Sequence, residues 1–174
     1  MPRIKTLSSA ALCLALCLVL PFLTGQIPEI GNALFPMHIP VLLAGFVCGP
    51  WWALAVGFIA PLLRFVLFGM PPVFPVGVAM AFELAAYGLI SGLLYKKLPK
   101  KVGNIYVSLI AAMVGGRIVW GCVRVLLSGV SDAAFSWAAF LSGAFTTALP
   151  GIILHIILIP IFVIALKKAE VIPD

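Results

Sequence analysis

Residues 36–69 form an almost unbroken apolar block. As a single helix rising 1.5 Å per residue it would be about 50 Å long, against a bilayer hydrocarbon core of about 30 Å. The block therefore has to be divided, and Gly49-Pro50 is the natural place. Proline has no N–H for the preceding hydrogen-bond ladder and disfavours helix at the residue before it. The division gives a short helix over residues 37–48 and a second over 51–68, with a kink expected at Pro61.

Composition settles the solvent. The 174-residue chain is 64% hydrophobic and only 9% charged, whereas soluble domains are about 45 to 50% apolar. This is the composition of an integral membrane protein. At about 20 residues per span the chain has room for six helices in one transmembrane domain over residues 1–174. It contains no GxxxxGK[ST] phosphate loop, so any ATP chemistry must come from partner subunits. The isoelectric point of 9.4 does not point to nucleic acid, because the basic residues cluster at span ends and form no continuous basic surface. Cys13, Cys17, Cys48 and Cys122 lie in apolar runs with no CxxC pair and no histidine at ligand spacing. They read as packing residues, with no metal or cofactor implied.

The remaining spans follow from apolar length and turn chemistry. Helix is expected over residues 6–23, 76–95 and 106–127, and over 137–166 as one long helix bent at Pro150-Gly151 and Pro160. Loops are expected over 24–35, 69–75 and 128–136, rich in glycine, proline and serine. The first apolar run follows Arg3 and Lys5 in the manner of a secretory signal, but the residues around Leu23 make a poor cleavage site, so it reads as a retained span. Lys96, Lys97, Lys100 and Lys101 in one connection, Arg3 and Lys5 before the first span, and Lys167 and Lys168 after the last all fall on one side of a six-span bundle. The opposite loops carry only Glu29 and Asp132. The positive-inside rule then places both termini of a multi-pass protein in the cytoplasm.

Within the spans stand Arg64, Glu83, Arg117 and Arg124. A charge at the bilayer centre costs roughly 2.5 to 3.5 kcal/mol on translocon scales, so the four together would forfeit about 10 kcal/mol facing lipid. They should face inward, and their sum of +2 suggests a pocket for an anionic solute in the outer half of the membrane. Arg117 and Arg124 are seven residues apart, on one helix face with Trp120 between them. Such a pair can hold a carboxylate or phosphate through bidentate hydrogen bonds.

Around these charges, Tyr87 lies one turn beyond Glu83, and His38 and Asn32 lie at or before the start of the second helix, where either can bond a polar ligand. The outer loops, with Phe35, Phe74 and several prolines, suit a lid over an outward-facing pocket. His155, deep in the last span, is expected to bond a neighbouring helix. Ala11 and Ala15 make a small-xxx-small face that permits close helix contact.

Taken together, the Ala11-xxx-Ala15 pair, the segment PMHIPVLLAGFVCGP at residues 36–50 and the block FGMPPVFPVGVAMAFELAAYGLISGLLY at residues 68–95 resemble the substrate-binding S-component of an energy-coupling factor (ECF) transporter, a family of small six-helix vitamin-capturing membrane proteins. The resemblance covers the whole chain. It implies that Ala11 and Ala15 dock a transmembrane coupling subunit, that two cytoplasmic ATPases supply energy, and that the binder reorients in the membrane to deliver its vitamin. The pattern looks most like pantothenate-type members, and an arginine-rich pocket suits the pantothenate carboxylate. Hydroxymethylpyrimidine, riboflavin, folate and a queuosine precursor are the alternatives.

Two other classes compete. A stand-alone secondary carrier is disfavoured because no internal repeat or inverted pair of halves is visible. An intramembrane protease needs a serine in a glycine-flanked motif with a histidine base, or paired glutamates. Ser91 and Ser142 are followed by glycine, but Leu89 and Phe140 occupy the upstream glycine position, and Glu83 is alone in its span.

Overall fold

A computed structural model describes residues 3–23, 34–128 and 148–172. Among them are six α-helices and no strand: α1 (Arg3–Leu23), α2 (His38–Cys48), α3 (Pro50–Phe68), α4 (Val78–Lys97), α5 (Val102–Ser128) and α6 (Leu149–Lys168). Five, α2 excepted, are long and apolar enough to cross a membrane. The 11 residues of α2 rise only about 16 Å.

The apolar block divides where proline and glycine dictate. Cys48 ends α2, and Pro50 occupies the first turn of α3, where its missing N–H removes no helical bond. Gly49 between them has φ 86° and ψ 174°, a region open essentially to glycine alone. The backbone reverses there. Along α4, His38 lies level with Glu83 and Gly45 with Ser91, while Pro50 meets Gly92, Ala53 meets Gly88 and Gly57 meets Leu84. Helix α2 thus runs with α4 and α3 against it.

Close approach explains the small residues on these faces. A Cβ on Gly88 would stand 2.5 Å from the Ala53 carbonyl oxygen, and one on Gly92 would stand 2.7 Å from Pro50 Cα. The Gly88-xxx-Gly92 spacing is therefore the seam along which α4 packs on α2 and α3. Across the other side of α4, a Cβ on Gly116 of α5 would meet the Tyr87 ring at 2.5 Å. Helix α4 is consequently the centre of the bundle, with Leu84 and Glu83 among its most deeply buried side chains.

Several boundaries differ from the expected ones. Helix α5 begins at Val102 rather than residue 106, because the turn over residues 98–101 is short and self-bonded: Lys101 N–H donates to the Pro99 carbonyl, and the Asn104 side chain to the same oxygen at 2.7 Å. The loop expected at residues 69–75 holds a wide turn, Val73–Gly77, in which Phe74 is extended. Pro150 opens α6 rather than bending it, since a proline in a first turn obstructs nothing, while Pro160 lies inside the helix. Residues 24–33 and 129–147 lie outside the described residues, and with them Asn32, the rest of two expected loops and the first part of the expected last helix. Cys13, Cys17 and Cys48 are buried and Cys122 is exposed, all as free thiols.

Candidate functional site

Four helices bring polar side chains to one place beneath the end of the bundle opposite the lysines. Glu83 stands five residues into α4 and fourteen before Lys97, about 8 Å and 21 Å along the axis. Its Oε1 accepts a hydrogen bond from the Tyr87 hydroxyl at 3.1 Å and lies 3.0 Å from Arg117 Nη1 on α5. The Glu83 side chain is 2% exposed and that of Arg117 14%, so the pair is largely desolvated and its attraction is little screened. The i, i+4 spacing of Glu83 and Tyr87 puts both on the α4 face that Gly116 leaves open.

His38, at the first residue of α2, completes the cluster. Its Nε2 lies 3.8 Å from Glu83 Oε1, too far for a hydrogen bond. Its ring lies edge-on to Tyr87 at 5.2 Å and stacks with His155 of α6 at 6.2 Å. Both nitrogens of His38 and Nε2 of His155 are buried without a hydrogen-bond partner among the described residues.

Phe35 covers the cluster. Its ring lies 4.9 Å from His38 and 4.5 Å from the Arg117 guanidinium, and its carbonyl accepts the His38 backbone N–H at 2.9 Å. It adopts φ 48°, a left-handed conformation that is an outlier for a bulky side chain and costs on the order of 1–3 kcal/mol. On the other side of Arg117 stands Trp120, 5.7 Å from Arg117 and 5.9 Å from Arg124. The expected arginine-tryptophan-arginine ladder on α5 is thus present as a cation–π stack.

The expected site residues fall into three groups. Glu83, Tyr87, His38, Arg117, Trp120 and Arg124 form one continuous cluster. Arg64 stands apart: its Nη1 donates to the Leu18 carbonyl of α1 at 2.6 Å, and its guanidinium lies against the Phe22 and Phe68 rings, which touch each other. Phe74 is 48% exposed on the wide turn before α4.

Two cluster members were missed as site residues. His155 carried a signal, being the one ionisable residue in the run IILHIILIP. Phe35 was expected only as part of a lid over the pocket, and its backbone conformation cannot be read from residue type.

The family model for the substrate-specific component of ECF transporters matches residues 5–163. The chain belongs to this family. No curated protein and no solved structure matches it. As an ECF substrate-specific component, it is a substrate-binding subunit of a multi-pass membrane transporter rather than an enzyme. The family works with an energising module, and Ala11 and Ala15, expected to dock it, are exposed on α1 while Ala10, Cys13 and Cys17 turn inward. The alanine pair on this ECF component is therefore uncommitted to packing within the described chain.

Proposed function

We propose that this ECF component captures a vitamin from the outer face of a bacterial plasma membrane and delivers it through a coupling subunit energised by two cytoplasmic ATPases. The termini are cytoplasmic in this reading. Helix α2 with the residues before it makes the second of six crossings, which the reversal at Gly49 supports. The lysine end then faces inward, and the Glu83 cluster lies towards the outside.

The observation that carries the reading is the set of buried, unpartnered histidine nitrogens beside the Glu83–Arg117 pair. Each buried polar atom left without a partner costs about 1–3 kcal/mol. A ligand hydroxyl or amide between His38 and His155 would recover that energy. The pair itself sums to zero charge, and Arg64 is engaged with α1, so the charge available to an anion is that of Arg124 beside Trp120. A ligand with a carboxylate at one end and hydroxyl or amide groups at the other matches this division.

Pantothenate has that form and is the best candidate. In this pose Arg124 and Trp120 hold its carboxylate, and His38, His155, Tyr87 and Glu83 take its hydroxyl and amide groups. Phe35 lines the approach. Hydroxymethylpyrimidine, riboflavin, folate and a queuosine precursor are the other ligands to include in a binding panel. The exposed Ala11 and Ala15 support docking of the coupling subunit through α1. Uptake in proteoliposomes tests the assembly: accumulation should require the coupling subunit, both ATPases and ATP, whereas accumulation by the isolated chain would make it a stand-alone carrier.

A further inference from the structure

We propose that the lysine end of the bundle is a binding site for the phosphate of an anionic membrane lipid, formed by Lys96 and Lys97 on α4, Lys101 ahead of α5 and Lys168 on α6. Three elements are fastened together there. Lys167 Nζ donates to the Lys100 carbonyl at 3.4 Å, tying α6 to the α4–α5 turn, and Lys100 Nζ donates to the Tyr95 carbonyl at 2.8 Å while lying 3.5 Å above the Tyr95 ring. Behind α6 the chain folds back, with Val171 and Ile172 bonded to the Leu166 carbonyl and Ile172 buried.

Lys100 and Lys167 are thus spent on construction. Lys96, Lys97, Lys101 and Lys168 are exposed, and their ammonium groups make no hydrogen bond or ion pair with the described residues. Glu170 is the one acidic side chain described at this end. Burial, and after it the charge of Lys167, pulls the Lys100 ammonium below its ordinary value. An anion would relieve the repulsion that contributes to this.

The surroundings select a lipid rather than a free ion. Trp51 and Trp52 open α3 level with Gly92 and are 72% and 42% exposed, the placement of aromatic residues at a headgroup boundary. Below the lysines the walls are apolar and outward-facing: Val102 and Tyr106 on α5, and Ile161 and Phe162 on α6. A phosphate seated among the ammonium groups therefore leaves its acyl chains against hydrocarbon surface. Clustered lysines immediately beyond spanning helices attract anionic headgroups in this way.

The test is native mass spectrometry of the delipidated chain, given equal amounts of phosphatidylglycerol and phosphatidylcholine. The wild type should retain phosphatidylglycerol at least about tenfold over phosphatidylcholine, with the ratio falling as ionic strength rises. The combined variant Lys96→Gln, Lys97→Gln, Lys101→Gln, Lys168→Gln should bring the ratio near one. The corresponding four arginine substitutions should preserve it, which separates lost charge from lost folding. Equal retention of the two lipids by the wild type, or an undiminished preference in a folded glutamine variant, would overturn the proposal and leave these lysines to an acidic protein surface. Displacement of phosphatidylglycerol by inorganic phosphate at matched concentration would overturn the lipid assignment.

Discussion

Arg117 and Glu83, from adjacent helices, meet at 3.0 Å in a setting where the carboxylate is almost fully buried. Desolvation makes such a pair an uncertain source of net stability, but removal of one partner leaves the other charge stranded, at about 3–5 kcal/mol. Glu83→Gln and Arg117→Ala should each lower thermal stability in detergent by about 3 kcal/mol. The double variant should lose clearly less than the sum of the two, since neither then strands a charge. Additive losses would mean that the pair is not coupled.

Arg64 belongs to a different account. Its guanidinium bonds the Leu18 carbonyl on α1 while lying against two phenylalanine rings. Arg64→Met should cost about 1–3 kcal/mol of stability and leave ligand affinity within about threefold of wild type. A large loss of affinity in a stable variant would return Arg64 to the pocket.

Gly116 is the space that the Tyr87 ring occupies. Gly116→Ala would put a Cβ against that ring, forcing Tyr87 away from its hydrogen bond to Glu83. The overpacking should cost about 1–3 kcal/mol. Ligand affinity should fall with it, whereas Gly103→Ala, where nothing lies within 4 Å, should leave both unchanged.

Much of this was legible in the sequence, for identifiable reasons. Gly49-Pro50 marked the reversal because proline and a left-handed glycine act through local sterics. Arg117, Trp120 and Arg124 were legible as a ladder because helical spacing alone places them on one face. The assumption that every intramembrane arginine serves one pocket did not carry over to Arg64: its partner is the Leu18 backbone carbonyl on α1, 46 positions earlier, and no spacing rule connects them. The same limit hid the Phe35 turn and the meeting of His38 with His155, which depend on how α2 and α6 approach one another.

The exposed pair on α1 gives a prediction about assembly. Ala11→Leu with Ala15→Leu should leave ligand affinity unchanged and reduce co-purification with the coupling subunit at least about tenfold. Full co-purification would remove α1 as the docking face.

The most direct measurement of the central claim is calorimetric titration of the purified chain in detergent, without partner subunits, against a vitamin panel that includes pantothenate. The account predicts tight binding of one carboxylate-bearing vitamin, lost on Arg124→Ala and weakened at least about tenfold by His155→Phe in a folded protein. Absence of binding across the panel, or binding indifferent to both substitutions, would contradict it.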